Sequence, residues 1–321
     1  YLAMTARIST DSRDRSFVAG LRMLFGTSAA VAVALGTVPV GAWLMGREAA
    51  ADAYLGSAAL FALIGTAILI LVGRTYREES AVVLAPPPSV RAAFASLAAN
   101  RAFVTLSLAM MAMVVAVTVL NKSVLYYFKY FLGDESGGQL ALASMSVVSG
   151  IAIPVWMLLS RPLGLRGLWF LAAGLCILGL GIFAAVDIHR ADVMQLFLIG
   201  LQVAGIGLSF VFWAMLPNTV EYGERHTGLR VEGAVFGLAA LLQRIAIGFA
   251  TAILGLGFDA AGYVANVEQS EETLAGMRLT IAFVPLAFFA LSCAFMAMNP
   301  LSRGTHARIV EELERRGTSP V

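Results

Sequence analysis

Eight stretches of nearly unbroken apolar residues divide this chain, at positions 17–46, 54–73, 103–131, 140–159, 168–186, 193–216, 233–255 and 279–298. Each has about 20 residues or more, the length a helix needs to cross a bilayer. The pattern predicts an all-α polytopic membrane protein with eight transmembrane helices. A transmembrane barrel would show alternating segments of about ten residues, and none is present. Stretches 17–46 and 103–131 exceed one crossing, which predicts tilt or ends that protrude into water.

Composition agrees and narrows the choice. Of 321 residues, 59% are hydrophobic and 13% charged, about half the charged fraction of a soluble domain. That excludes an ordinary soluble protein, a disordered chain, a coiled coil and a basic nucleic-acid binder. The net charge of +2 matters less than its distribution. Fifteen arginines fall in one set of alternate loops; only Arg47, Arg190 and Arg278 fall in the opposite set. The positive-inside rule then places both ends of this chain in the cytoplasm. The first sixteen residues are polar, begin with Tyr1 and carry no signal-peptide pattern, so the chain reads as N-terminally incomplete.

Four segments follow. Residues 1–73 hold a cytoplasmic loop and two helices. Residues 74–101 form a cytoplasmic linker with three prolines at 86–88, then Ser89 as the N-cap of a short helix over 90–97. Residues 102–298 form a six-helix bundle. Residues 299–321 form a cytoplasmic tail. Two spans before the linker and six after it suggest a transporter of two halves that lacks its first four helices.

The candidate chemistry is sparse. No phosphate-binding loop, nucleophile elbow or metalloprotease motif occurs, so an enzyme is not expected. Cys176 and Cys293 lie in apolar runs, and His189, His226 and His306 fall in separate loops, so no metal site is expected in this chain. Charge inside a membrane is costly and marks a pathway or a pair. Arg244 follows Glu232 by twelve residues, about 18 Å along a helix, and so sits near mid-bilayer beside Gln243. Such a guanidinium suits substrate hydroxyls or a carboxylate, or a carboxylate on another helix. Arg22 lies about 10 Å beyond Arg15 and either snorkels or reaches a site. Asn121, Lys122 and Tyr126 end the third span, as a pocket mouth or an aromatic belt. Trp213 is either a belt residue or a platform for a sugar ring. Every acidic residue falls in a loop or at a span end.

The segment 217–236, PNTVEYGERHTGLRVEGAVF, closely resembles the signature of the glycoside–pentoside–hexuronide:cation symporters, the melibiose-permease-like branch of the major facilitator superfamily. Asp14-Arg15 with Arg22, Asn100-Arg101 before Tyr126-Tyr127 and Tyr130, and the loop from Gly262 to Ser270 resemble the same family. The resemblance covers the whole chain as helices five to twelve of twelve. It implies symport of a sugar or glycoside with Na+ or H+ by alternating access, in a monomer of the bacterial inner membrane. It implies a substrate site with Arg22 and Arg244, to which the residue reading adds Gln243, Trp213, Tyr126, Asn121 and Lys122 as candidates. It implies a cytoplasmic gate in which the loop with Glu221, Tyr222, Glu224, Arg230 and Glu232 pairs with the loop of Asp11 and Arg15. The coupling cation would bind mainly to the absent N-terminal helices, and no other cofactor is implied. Arg244 stands where the family has a lysine, Ser209 where it has a tryptophan, and Asn218 where relatives often have aspartate. Membrane lipids are the other expected partner. Two alternatives stay open: a facilitator of a lipid or other amphipath, and a non-transporting receptor or scaffold.

Overall fold

The computed structural model describes residues 11–46, 50–75 and 88–318. Residues 76–87 of the expected linker, with its first two prolines, and Arg47 lie outside the described residues. Ten helices follow in order: α1 Ser12–Met45, α2 Ala50–Thr75, α3 Val90–Ala99, α4 Arg101–Tyr130, α5 Glu135–Ala185, α6 Ala191–Met215, α7 Asn218–Thr227, α8 Glu232–Ala260, α9 Glu271–Ala297 and α10 Arg303–Thr318. Among the described residues, seven helices are long and apolar enough to cross a membrane. One of them, α5, contains two of the eight expected spans. No strand occurs among the described residues.

Residues 24–87 and the rest of the chain form two compact units. In the smaller one, α1 and α2 pack where Gly56 leaves room. A Cβ there would lie 2.8 Å from Met45 Cγ, so only hydrogen fits without a shift.

The larger unit is a bundle whose directions can be read from its polar pins. Gln195 donates to Ser144, Gln202 to Ser149, and Trp156 Nε1 to the carbonyl of Val203. Numbers rise together, so the first arm of α5 runs parallel to α6. Phe183 stacks on Phe197, and an added Cβ on Gly179 would meet Leu201 at 2.9 Å. Numbers now run oppositely, so the second arm is antiparallel to α6. The chain reverses between the arms at Gly164, whose φ of 72° and ψ of 159° favour a residue without Cβ. Arg278 at the start of α9 donates to the carbonyls of Phe183 and Val186, and Arg166 donates to Ala297 at its end. Each guanidinium caps a helix C-terminus, where the dipole favours a cation.

Asn299 and Ser292 bind α9 antiparallel to α4 through the carbonyls of Ala102 and Ala109. The core between these helices is continuous and apolar, with Trp169, Phe128, Phe183, Phe210 and Phe289 fully buried. Large apolar side chains such as Leu241, Phe249, Leu256 and Leu279 point outward, as the surface of a membrane protein requires.

One expectation changes and two details are added. Residues 218–227 form a helix rather than a loop, because Pro217 leads into it and Gly228 closes it at φ 68° with its N–H on the Glu224 carbonyl. The tail is helical over Arg303–Thr318. The span glycines only partly seat helices. Gly207 and Gly179 do, whereas Gly174, Gly181, Gly200, Gly233, Gly237 and Gly248 lie on exposed faces with nothing within 4 Å of an added Cβ.

A Cβ on Gly207 would lie 2.5 Å from the Trp156 ring, which its hydrogen bond holds in place. Gly207→Ala is therefore expected to destabilise the bundle by about 1–3 kcal/mol through overpacking. Gly248→Ala should leave stability unchanged or slightly improved. Thermal unfolding in detergent compares the two.

Candidate functional site

The arginine-rich end of the larger unit is built around one buried carboxylate. Glu221 lies in the first turn of α7, with its side chain 3% exposed. Arg15, in the first turn of α1, is fully buried and donates to both Glu221 oxygens, at 2.5 and 2.8 Å. The planar guanidinium suits this two-point contact. Arg15 Nη1 also lies 3.4 Å from Asn218 Oδ1. Arg230 approaches Glu221 at 3.9 Å and bonds Glu224 at 2.9 Å and Glu232 at 2.6 Å. The left-handed turn at Gly228 lets the chain fold back so that Arg230 reaches these acids.

Other polar contacts hold α7 where this pairing needs it. Asn100 caps α4 by accepting from the Phe103 N–H at 2.9 Å, and its Nδ2 donates to the Thr219 carbonyl at 2.7 Å. An added Cβ on Gly223 would come within 2.6 Å of that nitrogen, so glycine permits the approach. The short helix α3, capped by Ser89 on the Ala92 N–H, places Ser96 Oγ 2.9 Å from Thr227 Oγ1. Tyr222 stacks on His226 at 4.3 Å. Asp11 is exposed and accepts from the Arg13 N–H.

Arg22, two turns beyond Arg15, lies 4.3 Å over the ring of Trp213 on α6. This is a cation–π contact, strengthened where water is scarce. Arg244 lies on the exposed face of α8 and has no hydrogen bond, ion pair or ring contact among the described residues. Gln243 is half-buried beside it. The structure thus joins Arg22 to Trp213 and records no such contact for Arg244.

Tyr126 faces the opposite end. It packs against Phe258 at 5.1 Å and Tyr263 at 5.7 Å, in a cluster with Tyr130. Tyr130 and Tyr263 hydroxyls are 3.0 Å apart, and the Asn266 N–H donates to Tyr130. Burial and the hydrogen bond with Tyr130 push the Tyr263 phenol above the ordinary tyrosine range. Lys129 reaches Asn266 at 3.0 Å. Asn121 is half-buried and Lys122 exposed, and neither joins this cluster. Among the described residues, no cluster of metal-binding side chains occurs.

Sequence reasoning missed two residues at the arginine-rich end. Asn100 is a polar residue before an apolar run, a cap signal that does not reveal its second contact. His306 was assigned to a loop. It lies on α10 with Nε2 3.7 Å from Glu221 Oε2. Its spacing to Ile309 and Leu313 is the apolar stripe of a docked helix, and that signal was readable.

Seven long apolar helices pinned by internal hydrogen bonds, with buried charge gathered at one end among the described residues, describe an integral membrane protein. The sequence model of the family described as MFS/sugar transport protein matches residues 1–303, and the chain belongs to that family. It is 26% identical over 261 residues to the glucuronide carrier protein homolog of Escherichia coli strain K12, covering 80% of this chain and 56% of that protein. It is 28% identical over 336 residues to the putative 2,3-dihydroxypropane-1-sulfonate exporter of the same strain, covering 98% and 69%. It is 22% identical over 314 residues to the isoprimeverose transporter of Lactiplantibacillus pentosus, covering 96% and 65%. The chain thus spans between about half and two thirds of the length of these relatives. Family and relatives alike are transporters or carriers, not enzymes.

Asn100→Ala removes a helix cap and the side-chain donor to the Thr219 carbonyl that ties α4 to α7. A loss of about 1–3 kcal/mol is expected. Faster amide exchange should appear in both α4's first turn and α7. Exchange confined to α4 would show that the Thr219 contact contributes little.

Proposed function

We propose that this chain carries the C-terminal two-thirds of a secondary transporter, one that moves a sugar or glycoside in symport with Na+ or H+. The observation that carries the reading is the buried Arg15–Glu221 pair. It links the first turn of α1, before the linker, to α7, which lies after it. A pair that must break and reform is suited to alternating access between two bundles. The arginine-rich end is then the cytoplasmic one, by the positive-inside rule, and the membrane is the bacterial inner membrane.

The substrate would meet Arg22 and Arg244. A guanidinium offers five donors, which suit the hydroxyls or acid group of a polyol. Relatives named for a glucuronide, a dihydroxypropane sulfonate and isoprimeverose support a hydroxyl-rich solute. Trp213 would hold Arg22 in place until the solute competes for it. The coupling cation would be held mainly by helices outside this chain, because no acidic residue lies in mid-span here.

The test is uptake by the complete gene product in proteoliposomes, with labelled glycosides, pentosides and hexuronides, and with or without a sodium or proton gradient. Gradient-driven uptake that falls at least about tenfold in both Arg22→Ala and Arg244→Ala, equivalent to about 1.4 kcal/mol, is the expected result. Uptake indifferent to either arginine, or no uptake of any sugar, would turn the reading toward an amphipath facilitator or a receptor.

A further inference from the structure

The helix α10 does more than end the chain. Leu301 leads into it and is buried, Ile309 is fully buried and His306 is 6% exposed, while Arg308, Glu311 and Arg315 point to solvent. His306, Ile309 and Leu313 form one stripe at helical spacing. An ion pair between Arg225 of α7 and Glu312, at 2.9 Å, flanks it. The stripe places His306 Nε2 3.7 Å from Glu221 Oε2, with no hydrogen bond of its own.

We propose that α10 is a latch on the cytoplasmic charge cluster, in which protonated His306 supplies a further cation to Glu221 and favours closure. The proposal rests on the gate reading above. The local charges are these. Arg15 of α1 holds Glu221, and Asp11, Arg13 and Asp14 line the groove beside it. The bend of α5 adds Arg161 and Arg166 to that groove. From the α7 side come Glu221 itself, Arg225 bound to Glu312, and Arg230, shared with Glu224 and Glu232. Glu221 therefore has one close cation, and a second at 3.9 Å that two other acids share. A proton on His306 turns a neutral neighbour at 3.7 Å into a cation. Burial keeps salt from screening that contact. Histidine is the side chain that changes charge between pH 5 and 8. Acidification would then tighten the closed cytoplasmic side, and alkaline conditions would loosen it.

Hydrogen–deuterium exchange of the complete gene product in nanodiscs, at pH 6 and pH 8 and corrected for intrinsic rates, reads this directly. Protection of residues 218–227 should be higher at pH 6 than at pH 8. His306→Gln should hold protection at the pH 8 level throughout. His306→Lys should hold it at the pH 6 level throughout. Ile309→Glu, which undocks α10, should behave like His306→Gln while residues 303–318 exchange freely. Protection that ignores pH in the wild type, or pH dependence that survives in His306→Gln, would overturn the latch. No solute is needed, so failure of the uptake experiment and failure of the latch are told apart.

Discussion

Everything at the arginine-rich end depends on a buried carboxylate that cannot be left alone. Glu221 is nearly sealed from solvent, and an isolated charge there would cost several kcal/mol. Arg15 repays that cost through two short hydrogen bonds, and only because α1 and α7 start at the same level. Removing either partner of such a pair typically costs about 3–5 kcal/mol, while an apolar substitute for both is often tolerated. The pair is therefore poor evidence for a need for stability. Under the proposed alternating access, it is the contact that would define one state and break on leaving it.

The rest of the bundle can be read as the frame that brings the two charges together. Asn100 fastens α4 to α7, and Ser96 fastens α3 to the same helix. Asn299 and Ser292 fasten α9 to α4. These side chains find their partners in backbone carbonyls or, for Ser96, in the Thr227 hydroxyl, where an unmet buried polar group would be costly. The apolar side chains fill the space but give little direction, because lipid is as apolar as the core. Direction comes from the polar pins and from glycines such as Gly207, where Trp156 lies against the backbone.

Hydropathy alone revealed the crossing segments, since length and composition determine them. The reversal near Gly164 falls in the gap between apolar stretches 140–159 and 168–186, and what hydropathy cannot show is that the backbone angle of this one residue makes it. Residues 218–227 read as a loop because Val220 and Tyr222 are the only large apolar side chains among them. A polar helix buried by charge pairing leaves no apolar stripe to detect. Arg22 looked able to snorkel, and its position over Trp213 is a contact between helices far apart in sequence. The stripe His306, Ile309 and Leu313 marks a docked helix in the sequence, but its contact with Glu221 appears only once the fold places the two together. Local pattern reaches helices and caps; pairs that join distant segments need the fold.

The most direct measurement is a double-mutant cycle on Arg15 and Glu221 in the complete gene product. Arg15→Met, Glu221→Gln and the double variant would be compared by the opening free energy of residues 218–227 from amide exchange. The account predicts a coupling of about 2–3 kcal/mol, with the double variant less damaged than the sum of the singles. Effects that add within about 0.5 kcal/mol would show the two residues acting independently, and would contradict a cytoplasmic closure held by their pairing.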